Sequence, residues 1–206
     1  MKRFLLIDDH AVVRNGVKHM LSEFYEECKV DEAADEAQAL EILATEQYDL
    51  IFLDINIPQT NTLDLLKRIL AKDQKIRVLM FSMNNEKMHA KRYLEAGAKG
   101  FLSKDAPIDE IKRVIGILLE NKTYYSDAFI DTLIHEKAGH DMNPFDKLSE
   151  REFQIATLML AGKSLTEISA TLKIHTSTTG THKSKIFEKL NVNNLVELIE
   201  LAKIHQ

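Results

Sequence analysis

The sequence is poor in the residues that mark disulfide-rich, cysteine-ligated or membrane-spanning proteins. Its 206 residues include one cysteine, three prolines, seven glycines and no tryptophan. With Cys28 alone, neither an internal disulfide nor a cysteine-based metal cluster can form. No apolar run reaches the roughly 18 residues that a membrane helix needs. The amino-terminal apolar run stops at Asp8, too soon for a signal peptide. These absences favour a cytoplasmic protein.

The composition is that of an ordinary globular protein, with 45% hydrophobic and 29% charged residues. The length suits one large domain or two modest ones. The net charge of −5 does not by itself favour nucleic-acid binding, but the charge is unevenly distributed. Residues 1–145 are net negative, whereas residues 146–206 are slightly positive and hold Lys183, Lys185 and Lys189 close together. That clustering is compatible with a helix that faces phosphate groups.

Residues 1–122 alternate short apolar runs with amphipathic stretches. The runs, which we interpret as strands, cover residues 4–7, 28–33, 50–53, 78–81 and 100–102. The run at 50–53 is continuously apolar, which is typical of a strand covered on both faces. In four stretches, at residues 13–24, 39–43, 63–70 and 108–118, apolar residues recur at helical spacing. The alternation predicts an α/β domain with a doubly wound, five-stranded parallel sheet.

The remaining sequence predicts a connector and a second, all-α domain. Residues 123–145 form the predicted linker, with a short helix built on Phe129, Leu133 and Ile134. Residues 146–206 carry four helical patterns, at about 149–161, 164–172, 176–190 and 194–204. Gly162 and Asn191 suit left-handed helix ends, and Ser164 and Asn194 suit helix N-caps.

Charged residues follow the strands of the predicted sheet. Asp8 and Asp9 follow the first strand and Asp54 ends the third. Carboxyl ends of parallel strands line one crevice, where three acids repel one another unless a cation such as Mg²⁺ binds them. Lys104 and Ser82, after the fifth and fourth strands, could contact phosphoryl oxygens. The set predicts phosphoryl transfer to a carboxylate, which gives an acyl phosphate.

Each residue also has a simpler interpretation. Asp9 could cap the following helix, Asp54 could be a solvated acid, and Ser82 and Lys104 could be ordinary loop residues. The combination of five suitable residues, each at the end of a suitable strand, favours the site.

Residues 1–122 resemble the receiver domain of two-component response regulators, which has a flavodoxin-like fold. The matching residues are Asp8, Asp9, Asp54, Pro58, Ser82 and Lys104 to Pro107. The resemblance implies that Asp54 takes phosphate from a sensor histidine kinase, and that Ser82 and Phe101 move together when it does. It also implies that Mg²⁺ is held by Asp9, Asp54, the backbone carbonyl of Asn56 and, through water, Asp8.

One departure from the receiver pattern lies after Pro58, where the family usually has a glycine-containing turn. The run here, residues 58–62, contains no glycine. Asn61 tolerates the left-handed conformation, so we expect Asn61 to make that turn.

Residues 148–204 resemble the helix-turn-helix domain of NarL/FixJ (LuxR-type) regulators, which implies double-stranded DNA as a partner. The matching residues are 148–152, Gly162, Ser164, Glu167, Ile168, Leu172, Thr178, His182, Ile186, Lys189, Leu190 and Val192. The second helix of such a motif enters the major groove. The resemblance implies that Gly180, Thr181 and Ser184 face the bases, and that Ser177, Thr178, Lys183 and Lys185 lie nearer the phosphates.

The last helix is the predicted pairing element. In the family that it resembles, this helix joins two domains, here through an apolar face of Leu195, Leu198, Ile199 and Ala202. A homodimer formed on phosphorylation would double the phosphate contacts and read two half-sites.

The preferred hypothesis is a phosphorylation-dependent DNA-binding transcription regulator rather than an enzyme. One alternative is a constitutive DNA-binding regulator whose receiver no longer signals through phosphate. The enzyme alternative is an aspartate-nucleophile phosphatase, which uses a second aspartate two residues after the first. Asn56 stands at that position.

Overall fold

A computed structural model describes residues 1–73, 75–83, 86–131 and 143–204, with the backbone alone at residue 87. The chain forms two compact units, Met1–Ile130 and Asp131–Gln206. Within the described part of the chain, no helix combines the length and apolar character required to cross a bilayer.

The first unit contains the predicted parallel sheet. Its strands are β1 (Lys2–Ile7), β2 (Cys28–Ala33), β3 (Leu50–Leu53), β4 (Val78–Ser82) and β5 (Gly100–Ser103). They lie in the order β2-β1-β3-β4-β5, and every pairing is parallel. This order puts β3 in the centre, which explains why its four residues are all apolar and all buried.

Five helices alternate with the strands of this unit. They are α1 (Ala11–Phe24), α2 (Glu36–Thr45), α3 (Thr62–Lys72), α4 (Glu86–Glu95) and α5 (Ile108–Leu119). Helix α4 was not recognised in the sequence, because its buried residues include the small Ala90 and the polar His89. Burial, with the charge of Arg92, lowers the pKa of His89 to about 4, so His89 packs as a neutral side chain.

The first unit continues past α5 into the segment predicted as linker. Tyr124 belongs to the hydrophobic core, and its backbone N–H donates to the carbonyl of Lys99 at 2.8 Å. Its hydroxyl donates to Glu110 at 2.8 Å, and the Ser126 hydroxyl donates to Glu86 at 2.7 Å. Residues 123–130, which belong to the segment predicted as linker, therefore pack with this unit.

The helix predicted within the linker is described only in part. Residues 127–131 are helical, and Phe129 is buried. Leu133 and Ile134, the other two residues of the predicted helix, lie outside the described residues.

The second unit contains the four predicted helices, preceded by a 3₁₀ turn at Pro144–Lys147. They are α6 (Glu150–Leu160), α7 (Leu165–Leu172), α8 (Thr176–Leu190) and α9 (Leu195–Ile204). Ser149 and Ser164 form capping boxes with Glu152 and Glu167. Asn194 caps α9 by accepting the Glu197 N–H, and Gly162 and Asn191 are left-handed as predicted. The core contains Phe145, Ile155, Ile168, Ile186 and Leu198.

Replacing Tyr124 tests how far the first unit extends. Tyr124 is 6% exposed whereas its neighbour Tyr125 is 43% exposed. We expect Tyr124→Ala to lower the free energy of unfolding of this unit by about 3 kcal/mol or more, because it empties a core position. Tyr125→Ala, the matched control, should cost less than about 1 kcal/mol. Urea unfolding followed by circular dichroism measures both changes in the free energy of unfolding. If both variants lost equally little stability, residue 124 would belong to the linker and not to the core of this unit.

Candidate functional site

Two buried carboxylates meet at the carboxyl ends of adjacent strands. Ile7 of β1 pairs in register with Leu53 of β3, so Asp8 and Asp54 leave the sheet at the same level. The backbone N–H of Asp54 donates to the carbonyl of Ile7 at 2.9 Å, which continues the ladder to that point. Asp8 is 5% exposed and Asp54 is 3% exposed. Such burial is costly for two like charges unless a cation compensates them.

Lys104 supplies one positive charge to this pair. Its ammonium lies 2.6 Å from Asp8 Oδ2 and 2.9 Å from Asp54 Oδ2, and its backbone N–H donates to the carbonyl of Ser82 at 3.1 Å. Burial acts to lower the pKa of Lys104, but its hydrogen bonds to the two carboxylates outweigh burial and the pKa is raised. The structure thus brings together three of the predicted residues, with the ammonium charged.

The loop after β3 holds Asp54 by further hydrogen bonds. Asp54 Oδ1 accepts the backbone N–H of Ile55 at 2.7 Å. The buried Thr62 hydroxyl then donates to the carbonyl of Ile55 at 2.7 Å, which ties the loop to the start of α3. Asn56, whose carbonyl is a predicted metal ligand, follows in an exposed position.

Asp9 and His10 complete a cluster of possible metal ligands. One ligand atom from each of Asp8, Asp9, His10 and Asp54 lies within 4.8 Å of the others. Asp9 Oδ1 is enclosed yet has no hydrogen-bond partner. A buried oxygen without a donor indicates that something else completes the site, and carboxylate oxygens suit Mg²⁺. The helix-cap interpretation of Asp9 is wrong, because the N-cap of α1 is His10.

Two residues that contact the acidic cluster were missed in the sequence. His10 follows the acidic pair directly, and that adjacency was the available signal. Arg14 carried no such signal: its guanidinium donates to the backbone carbonyl of Asp8 at 2.6 Å and to Glu32 at 3.2 Å. Glu32, the residue before the end of β2, pairs in register with Leu6 of β1. Arg14 therefore ties the end of β2 to the turn that carries both aspartates.

Ser82 and Phe101 lie on the neighbouring strands β4 and β5. Ser82 is the last residue of β4, completely buried, and pairs in register with Ser103. Phe101 pairs with Met80 and is 1% exposed. Both predicted moving residues are thus enclosed, and Ser82 shares a backbone hydrogen bond with Lys104.

The turn that follows Pro58 differs from the prediction. Gln59, not Asn61, takes the left-handed conformation, with φ of 58°. Asn61 has φ of −84° because its side chain caps α3, accepting the N–H of Asp64 at 3.2 Å. An N-cap needs extended backbone, so capping and the left-handed turn exclude each other at one residue.

The second unit presents α8 as the candidate nucleic-acid interface. Its exposed residues include Ser177, Thr178, Thr181, Ser184 and Lys185, whereas Gly180 and Lys183 are half-buried. The Lys183 ammonium lies 5.2 Å from the centre of the Phe187 ring, which is a cation–π distance. A Cβ atom at Gly180 would meet nothing within 4 Å, so packing within the protein does not require glycine there.

Helices α7 and α8 are joined by a buried polar contact. The Thr179 hydroxyl lies 2.8 Å from the Ser169 hydroxyl, and Thr179 is fully buried. The contact between these two helices therefore includes a hydrogen bond between hydroxyl groups. His182 is half-buried with an enclosed ring nitrogen, which agrees with a structural role.

The predicted pairing face on the last helix needs correction. Leu198 is 0% exposed and Ala202 is 2% exposed, because α9 packs them inside its own unit against α6. Only Leu195 and the half-buried Ile199 of the four remain at the surface, next to Val196, which is 63% exposed.

Comparisons with known proteins match both units. Residues 4–116 match the family described as response regulator receiver domain, and residues 146–202 match bacterial regulatory proteins of the luxR family. The chain is 33% identical to Fimbriae Z protein of Salmonella typhimurium, over 98% of this chain and 96% of that protein. It is 30% identical to response regulator GacA of Pseudomonas viridiflava, over 100% of this chain and 97% of that protein. A similar fold is found in RcsB from Salmonella enterica serovar Typhimurium, whose structure was solved bound to promoter rprA in the presence of phosphomimetic BeF3−. The TM-score is 0.73 and the sequence identity is 20%, and the match covers 97% of each chain.

An ion pair between α6 and α8 removes one lysine from the predicted basic cluster. The Lys189 ammonium donates to the buried Glu152 carboxylate at 2.6 Å, which also accepts the Ser149 N–H at 2.8 Å. Burial acts to raise the pKa of Glu152, but the hydrogen bonds from Lys189 and Ser149 outweigh it and lower the pKa to about 2.

This ion pair predicts acid sensitivity in the second unit. A lowered folded pKa stabilises the fold above the unfolded value, and the gain is lost as pH falls toward 2. Glu152→Gln should therefore cost about 2 kcal/mol at pH 7 and progressively less as the pH drops. Urea unfolding at several pH values measures this, with the exposed Glu188→Gln as control. A difference that stays constant with pH would refute the assignment.

Proposed function

The chain belongs to the response-regulator family, joining a receiver domain to a LuxR-type DNA-binding domain, and we propose that phosphorylation of Asp54 controls its DNA binding. The observation that carries this proposal is the shared contact of the Lys104 ammonium with Asp8 and Asp54. It supports a site that tolerates concentrated negative charge, as phosphoryl transfer requires.

The proposed reaction transfers a phosphoryl group from a phosphohistidine of a sensor histidine kinase. The phosphorus–nitrogen bond of the donor breaks as a phosphorus–oxygen bond forms to a carboxylate oxygen of Asp54, and the donor imidazole takes up a proton. Lys104 is placed to pair with a phosphoryl oxygen in exchange for one of its carboxylates. The backbone N–H of Ile55 keeps the Asp54 carboxylate oriented during the attack.

Mg²⁺ is the proposed cofactor of this step. Asp8, Asp9 and Asp54 offer the oxygen ligands that it prefers, and the unsatisfied Asp9 Oδ1 supports a ligand role for that residue. The backbone carbonyl of Asn56 is the fourth proposed ligand. When bound, the ion neutralises the phosphoryl oxygens together with Lys104.

The proposed output is a change in DNA binding. Phosphate at Asp54 draws the Ser82 hydroxyl inward, and Phe101 adjusts to the space that Ser82 leaves. The favoured conformation then pairs two copies, with Leu195, Val196 and Ile199 of α9 as the revised pairing face. The domain assignment that follows is receiver, connector and DNA-binding domain, acting on chromosomal DNA in the cytoplasm.

Two alternatives are separable by experiment. A constitutive DNA binder has the same second unit but does not respond to phosphate, and beryllofluoride would then change neither its oligomeric state nor its DNA affinity. A phosphatase needs an acid two residues after its nucleophile to move a proton. Asn56 occupies that place, and an amide cannot serve as that acid.

Phosphotransfer to Asp54 can be measured directly. Incubation with acetyl phosphate and Mg²⁺ should add one phosphoryl group to the wild-type chain, and Asp54→Asn should remain unlabelled because an amide is not a nucleophile here. Intact-protein mass spectrometry reads the result. Asp109→Asn, at an exposed position on α5, is the matched control and should label normally. Equal labelling of wild type and Asp54→Asn would remove Asp54 as the acceptor.

DNA contact through α8 predicts a salt-dependent loss of affinity. Lys185 is exposed on α8, so Lys185→Ala should weaken binding about equally for all sequences. The slope of log affinity against log salt should fall by about 1 for each lysine lost per bound copy. Lys203→Ala, exposed at the end of α9, should change neither quantity. Fluorescence anisotropy with one promoter fragment and one random fragment measures both; unchanged binding by Lys185→Ala would contradict the interface.

A further inference from the structure

We propose that His10 is a nitrogen ligand of the divalent-cation site and gives that site a preference for first-row transition-metal dications over Mg²⁺. The inference rests on the proposed function in one respect, namely that a cation binds among Asp8, Asp9 and Asp54. It goes further by naming a fourth side chain and the metal selectivity that this side chain produces.

The spacing of the donor atoms fits adjacent positions around one ion. His10 Nδ1 lies 2.8 Å from Asp9 Oδ1 and 3.3 Å from Asp8 Oδ1. Two donors at right angles around an ion with bonds of about 2.1 Å are about 3 Å apart. The ring nitrogen therefore lies at ligand spacing from two carboxylate oxygens at once.

Hydrogen bonding accounts for only one of these two contacts of the ring nitrogen. The contact with hydrogen-bond geometry is the longer one, from Nδ1 to Asp8 Oδ1. Asp9 Oδ1 is nearer to the ring nitrogen, yet it is enclosed and has no hydrogen-bond partner. A neutral imidazole presents a lone pair on one nitrogen, so a shared cation can satisfy that nitrogen and the Asp9 oxygen together.

The backbone fixes His10 at the mouth of the site. Its N–H donates to Asp8 Oδ1 at 2.9 Å, which holds residues 8–10 in a tight turn over the acidic pair. The imidazole is 62% exposed, whereas the Asp8 side chain is 7% exposed. A hydrated ion that enters from solvent can thus meet the ring on its way to the buried oxygens.

The chemical nature of the ligand decides the selectivity. Mg²⁺ prefers oxygen and gives up its water reluctantly, whereas imidazole nitrogen binds transition metals well. Loss of the ring should therefore weaken the binding of a transition-metal ion much more than the binding of Mg²⁺. A ring that only held Asp9 in place would affect both ions alike.

The test is Mn²⁺ and Mg²⁺ binding by the full chain, with Mn²⁺ followed by electron paramagnetic resonance and Mg²⁺ by competition. His10→Ala should lower Mn²⁺ affinity about tenfold or more and change Mg²⁺ affinity less than about twofold. Pulsed spectra of the Mn²⁺ complex should show coupling to a ligand nitrogen in wild type, lost in His10→Ala and in His10→Gln. His19→Ala, on the exposed surface of α1, is the matched control and should keep the coupling.

Equal loss of both metals, absence of nitrogen coupling in wild type, or no Mn²⁺ binding would overturn the inference. Circular dichroism of each variant confirms that it is folded. Labelling of Asp54 by acetyl phosphate in Mg²⁺ is a separate readout: nitrogen coupling without labelling would refute the proposed function and leave the ligand assignment intact. Labelling without nitrogen coupling would refute the assignment of His10 as a ligand and leave the proposed function intact.

Discussion

A single buried ammonium holds two buried carboxylates at the rim of the sheet, and the rest of the first unit is arranged so that this contact can exist. Asp8, Asp54 and Lys104 follow β1, β3 and β5, which are not all neighbours. Their side chains meet only because every strand is parallel and β4 keeps its register with both sides. Removal of one charge from such a group leaves the others uncompensated in a medium of low dielectric constant.

Much of this arrangement follows from rules that act locally in sequence. Parallel strands place their carboxyl ends at one edge, so Asp8 and Asp54 could be assigned to one site from position alone. The ends of the helices in the second unit could also be predicted from the sequence. Ser164 has the side chain that caps a helix, and Gly162 and Asn191 are residues that accept positive φ.

The errors arose where tertiary contacts decide. Asn61 and Gln59 both lie in the turn after Pro58, and the cap on α3, not intrinsic preference, selected which one became left-handed. Leu198 lies on an apolar helical face, but periodicity does not reveal whether such a face meets its own domain or another copy. Helix α4 was not predicted from the sequence, because the buried, neutral His89 stands where an apolar residue would be expected. The short distances from His10 to Asp8 and Asp9 depend on a turn that no pattern of apolar residues specifies.

The segment that follows α5 changes how the two units are tethered. Tyr124 lies in the core of the receiver and Ser126 is hydrogen-bonded to Glu86, the first residue of α4. Chain that is fixed to the receiver no longer counts toward the tether between the two units. The tether also begins at a point anchored to α4, the helix that comes directly after the Ser82 strand. Displacement of that helix would therefore shift the origin of the tether itself.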